Sequence, residues 1–196
     1  MSEGSATATP GGSLRAVVLV EGMSDRLALE VLARRRGRDL DAEGVSIVAM
    51  DGATNIAHFL ERYGPHGLNL KVAGLYDAAE EGYFRRGLER AGLGSDLTRA
   101  DMEALGFYMC SADLEDELIR ALSPGGVVRI VEAEGELKSF RILQRQPALR
   151  EWSLQDQLRR LMSGRSGGKH RYARLMAGAV DLDRVPRPLD AVLDHI

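Results

Sequence analysis

The sequence predicts an α/β fold: a parallel sheet of four central strands flanked by helices, followed by a helical C-terminal extension. Three observations predict it. Apolar, β-branched runs recur at 14–20, 45–50, 70–76 and 106–110, short enough for strands buried on both faces. Segments of helical period separate them, each closed by glycine or Gly-Pro. Beyond Leu122 the strand pattern stops and amphipathic helical segments take over.

Each element has its local reason. "LRAVVLV" (14–20) is almost unbroken in its apolar character, and Ser24 is a candidate cap for the helix that carries Leu27, Leu29, Val31 and Leu32 to Gly37. "VSIVAM" (45–50) leads into "DGATN" and a helix over 53–63 with Ile56, Phe59 and Leu60 inward, closed by Gly64-Pro65. "LKVAGLYD" (70–77) precedes a helix that ends at Gly92, and "GFYMC" (106–110) precedes an acid-fronted helix over 113–122. Ser123-Pro124 reads as an N-cap with proline at the first helical position, although the β-branched Val127, Val128, Ile130 and Val131 leave a strand open. "LQDQLRRLM" is amphipathic, "SGRSGGKHRYARLM" is a glycine-rich loop entering a basic helix, and "VPRP" separates it from a last helix, "LDAVLDHI". The expected divisions are a flexible tail over 1–13, a first domain over 14–122 and a helical extension over 123–196.

Composition narrows the function. The formal net charge of −3, from 26 basic and 29 acidic residues, argues against binding nucleic acid by bulk positive charge but leaves room for a local basic patch. A single cysteine, Cys110, in an apolar run reads as a buried thiol in a reducing compartment. No segment reaches the ~20 apolar residues of a membrane span, and the N-terminus lacks the regions of a signal peptide. A cytoplasmic protein is expected.

The chemistry concentrates at the strand ends, where open α/β sheets bind ligands. Glu21 ends the first strand, Asp51 the second and Asp77 the third, while Asp113, Glu115 and Asp116 follow the fourth. Carboxylates so gathered repel one another unless a cation joins them, and Mg2+ is a hard ion that prefers oxygen. Gly22 is expected to allow a tight turn beside Glu21. Taken singly, Asp25 and Asp113 are equally well read as helix caps. Among the basic clusters, Arg34–Arg38 and Arg85–Arg90 read as solvated helix faces. Arg165, Lys169 and Arg171 alternate with glycines before a helix, a pattern suited to phosphates. The histidines lack metal-ligand spacing, and Trp152 with the few other aromatics offers no stacking platform.

"VLVEGMSDRLALEVLA", "AGLYDAAEE" and "ADLEDELIRAL" together resemble the TOPRIM domain in the form found in overcoming-lysogenization-defect (OLD) nucleases, over about 14–122, with a weaker match onward through "GGKHRYA" and "VPRPL". The resemblance implies a Rossmann-like TOPRIM fold. It implies metal ligation by Glu21, Asp25, Asp77, Asp113 and Glu115, Mg2+ or Mn2+ as cofactor, and catalytic roles for Glu21 and Lys169. It implies nucleic acid, DNA or RNA, as partner and phosphodiester hydrolysis as reaction. Two departures are visible. The second aspartate of the Asp-x-Asp pair falls on Ala79, with Glu80 one residue out of register. The family's ATPase domain has no counterpart in these residues, since His170 stands where a Walker A loop requires Ser or Thr. The alternatives are a non-catalytic TOPRIM module that binds nucleic acid or a protein partner, and a small RNA-processing maturase.

Overall fold

The computed structural model describes residues 13–164 and 166–196. The tail expected over 1–13 therefore lies, apart from Ser13, outside the described residues, as does Arg165. In chain order the elements are β1 (Ala16–Val20), α1 (Met23–Arg35), β2 (Val45–Ala49), α2 (Ile56–Tyr63), β3 (Lys71–Asp77), α3 (Glu81–Arg90), α4 (Arg99–Ala104) and β4 (Phe107–Cys110). The helices α5 (Leu114–Leu122), α6 (Pro124–Ala133), α7 (Leu137–Gln144), α8 (Leu154–Ser163), α9 (Gly168–Ala179) and α10 (Arg187–His195) complete the chain.

The four strands are parallel, in the order β2-β1-β3-β4. The chain leaves β1 in one direction to form β2, then returns across β1 to place β3 on its other side. The reversal falls between β1 and β3, and it puts the helix after β1 and the helices after β2 and β3 on opposite faces. The core divides accordingly. On one face Val17, Leu19, Val72, Tyr76 and Phe107 pack against Ile56, Leu60, Phe84 and Leu88. On the other, Ala16, Val18, Val20, Ala73 and Leu75 meet Leu29 and Leu32 of α1 together with Leu118, Val127, Phe140, Met176 and Val192. The C-terminal segment thus covers a whole face of the sheet: α9 lies along α1, and α10 against β3 and β4.

Local corrections are few. Ser24 is not the cap of α1; Gly22 is, and its N–H donates to Asp25 Oδ2 at 2.9 Å. Gly22 itself is extended (φ −142°), and an added Cβ would meet nothing closer than 3.7 Å, so no tight turn requires a glycine there. Residues 124–133 form a helix, not a strand, because Ser123 Oγ accepts from Gly126 N–H and Pro124 starts the first turn. The short helix α4 was not expected from sequence; its Thr98–Asp101 capping box is the signal that identifies it.

Gly74, in the middle of β3, is demanded by packing. A Cβ there would lie 2.7 Å from Leu19 O and 2.9 Å from the Phe107 ring. Gly74→Ala is therefore expected to destabilise the fold by about 1–3 kcal/mol through overpacking. Urea unfolding checks this: a lowered midpoint with an unchanged m-value is expected.

Candidate functional site

Strand order explains which carboxylates meet. Glu21 follows β1 and Asp77 ends β3, so both stand at the reversal between these neighbouring strands. Asp25 joins them from the first turn of α1, and Asp113 and Glu115 from the start of α5. These five acids, with Gly22, Ser24, Lys169 and His170, line a cleft of about 280 Å³. Asp51 is not part of it. It follows the edge strand β2, is exposed with φ +56°, and turns away with Gly52. Asp116 is also held elsewhere, by Arg120 at 2.8 Å and by the Gln155 amide.

The cleft's electrostatics follow from burial and crowding. Burial first, then the charges of Asp25, Glu21, Asp113 and Glu115, push Asp77 up to about 8. Asp25 is raised to about 6, chiefly by burial; its hydrogen bond from Gly22 pulls it back, while Glu115 and Glu21 push it further up. Glu21 is raised by burial and then by Glu80, with Lys169 opposing. Glu80, next to Ala79, is not among the residues that line the cleft. Glu21, Asp25 and Asp77 form no ion pair among the described residues.

The fourth-strand acids are more engaged. Asp113 caps α5, accepting from Asp116 N–H at 2.8 Å, and its other oxygen pairs with Arg159 of α8. Asp113, the cap of α5, and Asp25, which accepts from the Gly22 N–H at the start of α1, therefore hold helix ends and line the cleft at once. Glu115 is only 6% exposed, and its Oε1 lies 3.7 Å from Lys169 Nζ in the first turn of α9. Cys110 is buried, as expected from its apolar run, and burial pushes its thiol well up.

The basic residues separate. Lys169 reaches the cleft. Arg171 does not: it pairs with Glu134 at 2.6 Å and Glu136 at 2.8 Å, and it lines a different hollow with Tyr172. Two helical steps from Lys169 turn its side chain away, which corrects its grouping with the phosphate-facing residues. Arg165 lies outside the described residues. Trp152, dismissed from sequence, lines a larger groove of about 670 Å³ that shares Asp113, Glu115 and Lys169 with the acidic cleft. Its signal was present as an aromatic just ahead of the amphipathic helix α8.

The donor set suits a hard divalent cation. All five acids offer oxygen, and three of them, Glu21, Asp25 and Asp77, are pushed toward protonation by burial first and by neighbouring carboxylates second, which a cation would relieve. Among the described residues no group of three or more His, Cys, Asp or Glu side chains is placed so as to hold a metal ion.

The four-stranded parallel sheet carries a glutamate after its first strand and an aspartate at the end of its third, both at the strand-order reversal, the placement that the TOPRIM resemblance implies. Residues 14–78 match the family described as overcoming lysogenization defect protein-like, TOPRIM domain. The whole chain is similar to the C-terminal region of the Xanthomonas campestris pv. campestris OLD protein, at 25% identity over 93% of this chain and 91% of that one, with a TM-score of 0.72. It also shares its fold with the C-terminal region of the Burkholderia pseudomallei OLD protein, at 23% identity over 93% and 96% of the two chains, with a TM-score of 0.67. No curated protein matches the sequence. Residues 14–78 are thus similar to the OLD-like TOPRIM domain, and TOPRIM domains generally bind divalent metal ions. Among the described residues no helix is long and apolar enough to cross a membrane.

A pH dependence follows from Asp77. Its folded pKa of about 8 lies above the ordinary aspartate value of 3.8, so the native state holds the proton that the unfolded chain releases. Stability contributed by the protonated form is full below the unfolded pKa and is lost as pH rises toward the folded one. The metal-free protein should melt at a lower temperature at pH 8 than at pH 5, and Asp77→Asn should flatten that difference. Thermal melts of both proteins in chelator across this range check it.

Proposed function

We propose that the chain hydrolyses phosphodiester bonds in nucleic acid with a divalent metal, Mg2+ or Mn2+, in the cytoplasm. The observation that carries the reading is the gathering of Glu21, Asp25, Asp77, Asp113 and Glu115 around one cleft that also admits Lys169.

Glu21 and Asp77, at the two strand ends, are the residues that would hold the metal, with Asp25, Asp113 and Glu115 on the α1 and α5 side. When bound, such an ion activates water and stabilises charge on phosphoryl oxygens. The protein's own residues do the rest. Lys169, on the exposed rim with its stem fixed by α9, places a positive charge where a phosphate enters the cleft. It opposes the charge that builds on the phosphoryl oxygens as the bond breaks. The buried Glu115 restrains that ammonium, and Arg159 holds Asp113 in place through its ion pair. His170, beside Lys169 on the cleft wall, adds a further group within reach of the substrate.

Ala79 supports a second reading: a TOPRIM module that binds nucleic acid or a protein partner without cutting. One acid fewer in the Asp-x-Asp pair weakens metal affinity, unless Glu80 supplies the charge from the adjacent position. Small RNA-processing maturases keep RNA among the substrates to be tried.

The test is paired, measuring cleavage of plasmid and of structured RNA in Mg2+, Mn2+ or chelator alongside binding across salt. Glu21→Gln should abolish cleavage while preserving binding. Lys169→Ala should slow cleavage by ~10²-fold or more, the scale of one electrostatic catalytic group. Arg171→Ala, as a control, should leave both unchanged. A binding module would instead cut under no condition, and Lys169→Ala would weaken binding and flatten its salt slope by about one ion.

A further inference from the structure

We propose that the groove beside the carboxylate cleft holds an unpaired base of a nucleic acid, stacked on Trp152 while its backbone runs over Arg159 and Arg160 toward Lys169. The proposal rests on the reading that the cleft acts on nucleic acid, and it specifies the form of substrate: single-stranded or locally unpaired.

Trp152 carries the inference. The residue is 47% exposed, costly for an indole, which is normally covered. No other aromatic ring stacks on it among the described residues. It is anchored rather than loose: its backbone N–H donates to Leu149 O at 3.0 Å, and the Ser153 cap of α8 follows directly. The groove it lines, about 670 Å³, falls within the range that accepts a small ligand.

Charge bears on the occupant as well. Among the described residues Glu151 pairs with Arg150 at 3.3 Å, Asp113 with Arg159 and Glu115 with Lys169, while Asp156 accepts from Ser153 Oγ at 2.6 Å and keeps its charge. Arg160 lines the groove and forms no ion pair among the described residues. Arg159 sits at the junction, paired with Asp113, and Lys169 belongs to both groove and cleft. An aromatic face followed by cations that lead to a phosphate-processing cleft is the pattern that binds a nucleotide by base stacking and backbone charge. Bases inside a duplex have both faces covered, so only an unpaired or extruded base can take this position.

The chain has one tryptophan, so its fluorescence reports on this groove alone. The probes are an oligothymidylate of about 10 nucleotides, a blunt duplex of the same length, and thymidine monophosphate. They are added to the wild type in chelator and to Glu21→Gln in magnesium. The oligothymidylate should quench the emission, with little effect from the duplex. In the Glu21→Gln background, Trp152→Ala should lower single-strand affinity by about tenfold or more while Trp152→Phe retains most of it. Circular dichroism confirms that each variant is folded. The proposal is overturned if the oligothymidylate leaves the emission unchanged, if the duplex quenches equally, or if Trp152→Ala binds the single strand like its parent. Equal affinity for thymidine monophosphate would also overturn it, in favour of a free-nucleotide site. Cleavage without quenching removes the groove and keeps the hydrolase reading. Quenching without cleavage in any metal does the reverse.

Discussion

Burial of carboxylates, sharpened by their mutual repulsion, is the constraint on which the site depends. A fold that brings Glu21, Asp25, Asp77, Asp113 and Glu115 around one partly buried cleft raises the energy of the charged forms. Helix-capping needs account for Asp25 and Asp113, but not for Glu21 and Asp77, which serve no cap and no ion pair among the described residues. Lys169, at 3.7 Å from Glu115, and Arg159, paired with Asp113, offset two of these charges and leave Glu21, Asp25 and Asp77 without an ion pair among the described residues.

The architecture maintains this arrangement through its strand order. Reversing direction between β1 and β3 opens the crevice into which their C-terminal residues project. The close approach of β1, β3 and β4 around Gly74 fixes the strands that carry the acids. The C-terminal helices do more than cover the second face. By packing α9 along α1 and α8 beside α5, they deliver Lys169 to the cleft and Arg159 to Asp113. Packing and site assembly are therefore one event for residues far apart in sequence.

The four strands were legible because runs buried on both faces have no polar interruption. Glu21 and Asp77 were legible because a carboxylate at the end of such a run is out of character with the run itself. Asp51 carried the same signal and misled: the sequence does not state that β2 lies at the edge, one strand away from the reversal. Arg171 misled for a related reason, since proximity to Lys169 in sequence says nothing about which face of α9 it occupies; Glu134 and Glu136, more than thirty residues earlier, decide that. Trp152 was undervalued because an exposed aromatic gains meaning only from what stands opposite it, here Asp113, Glu115 and Lys169 from other elements. Gly22 shows the converse: a glycine beside a functional residue invited a conformational reading, and its extended backbone needs none.

The most direct measurement is the number of protons released when a divalent cation binds, obtained by calorimetric titration of Mn2+ near pH 7 in buffers of different ionisation enthalpy. With Asp77 at about 8 in the metal-free protein, its carboxyl is largely protonated under these conditions. If these carboxylates hold the cation, binding expels protons, about one from Asp77, and Asp77→Asn abolishes most of that release. Binding with the same heat in every buffer, or no binding at all, would contradict the claim that the strand-end acids form a metal site.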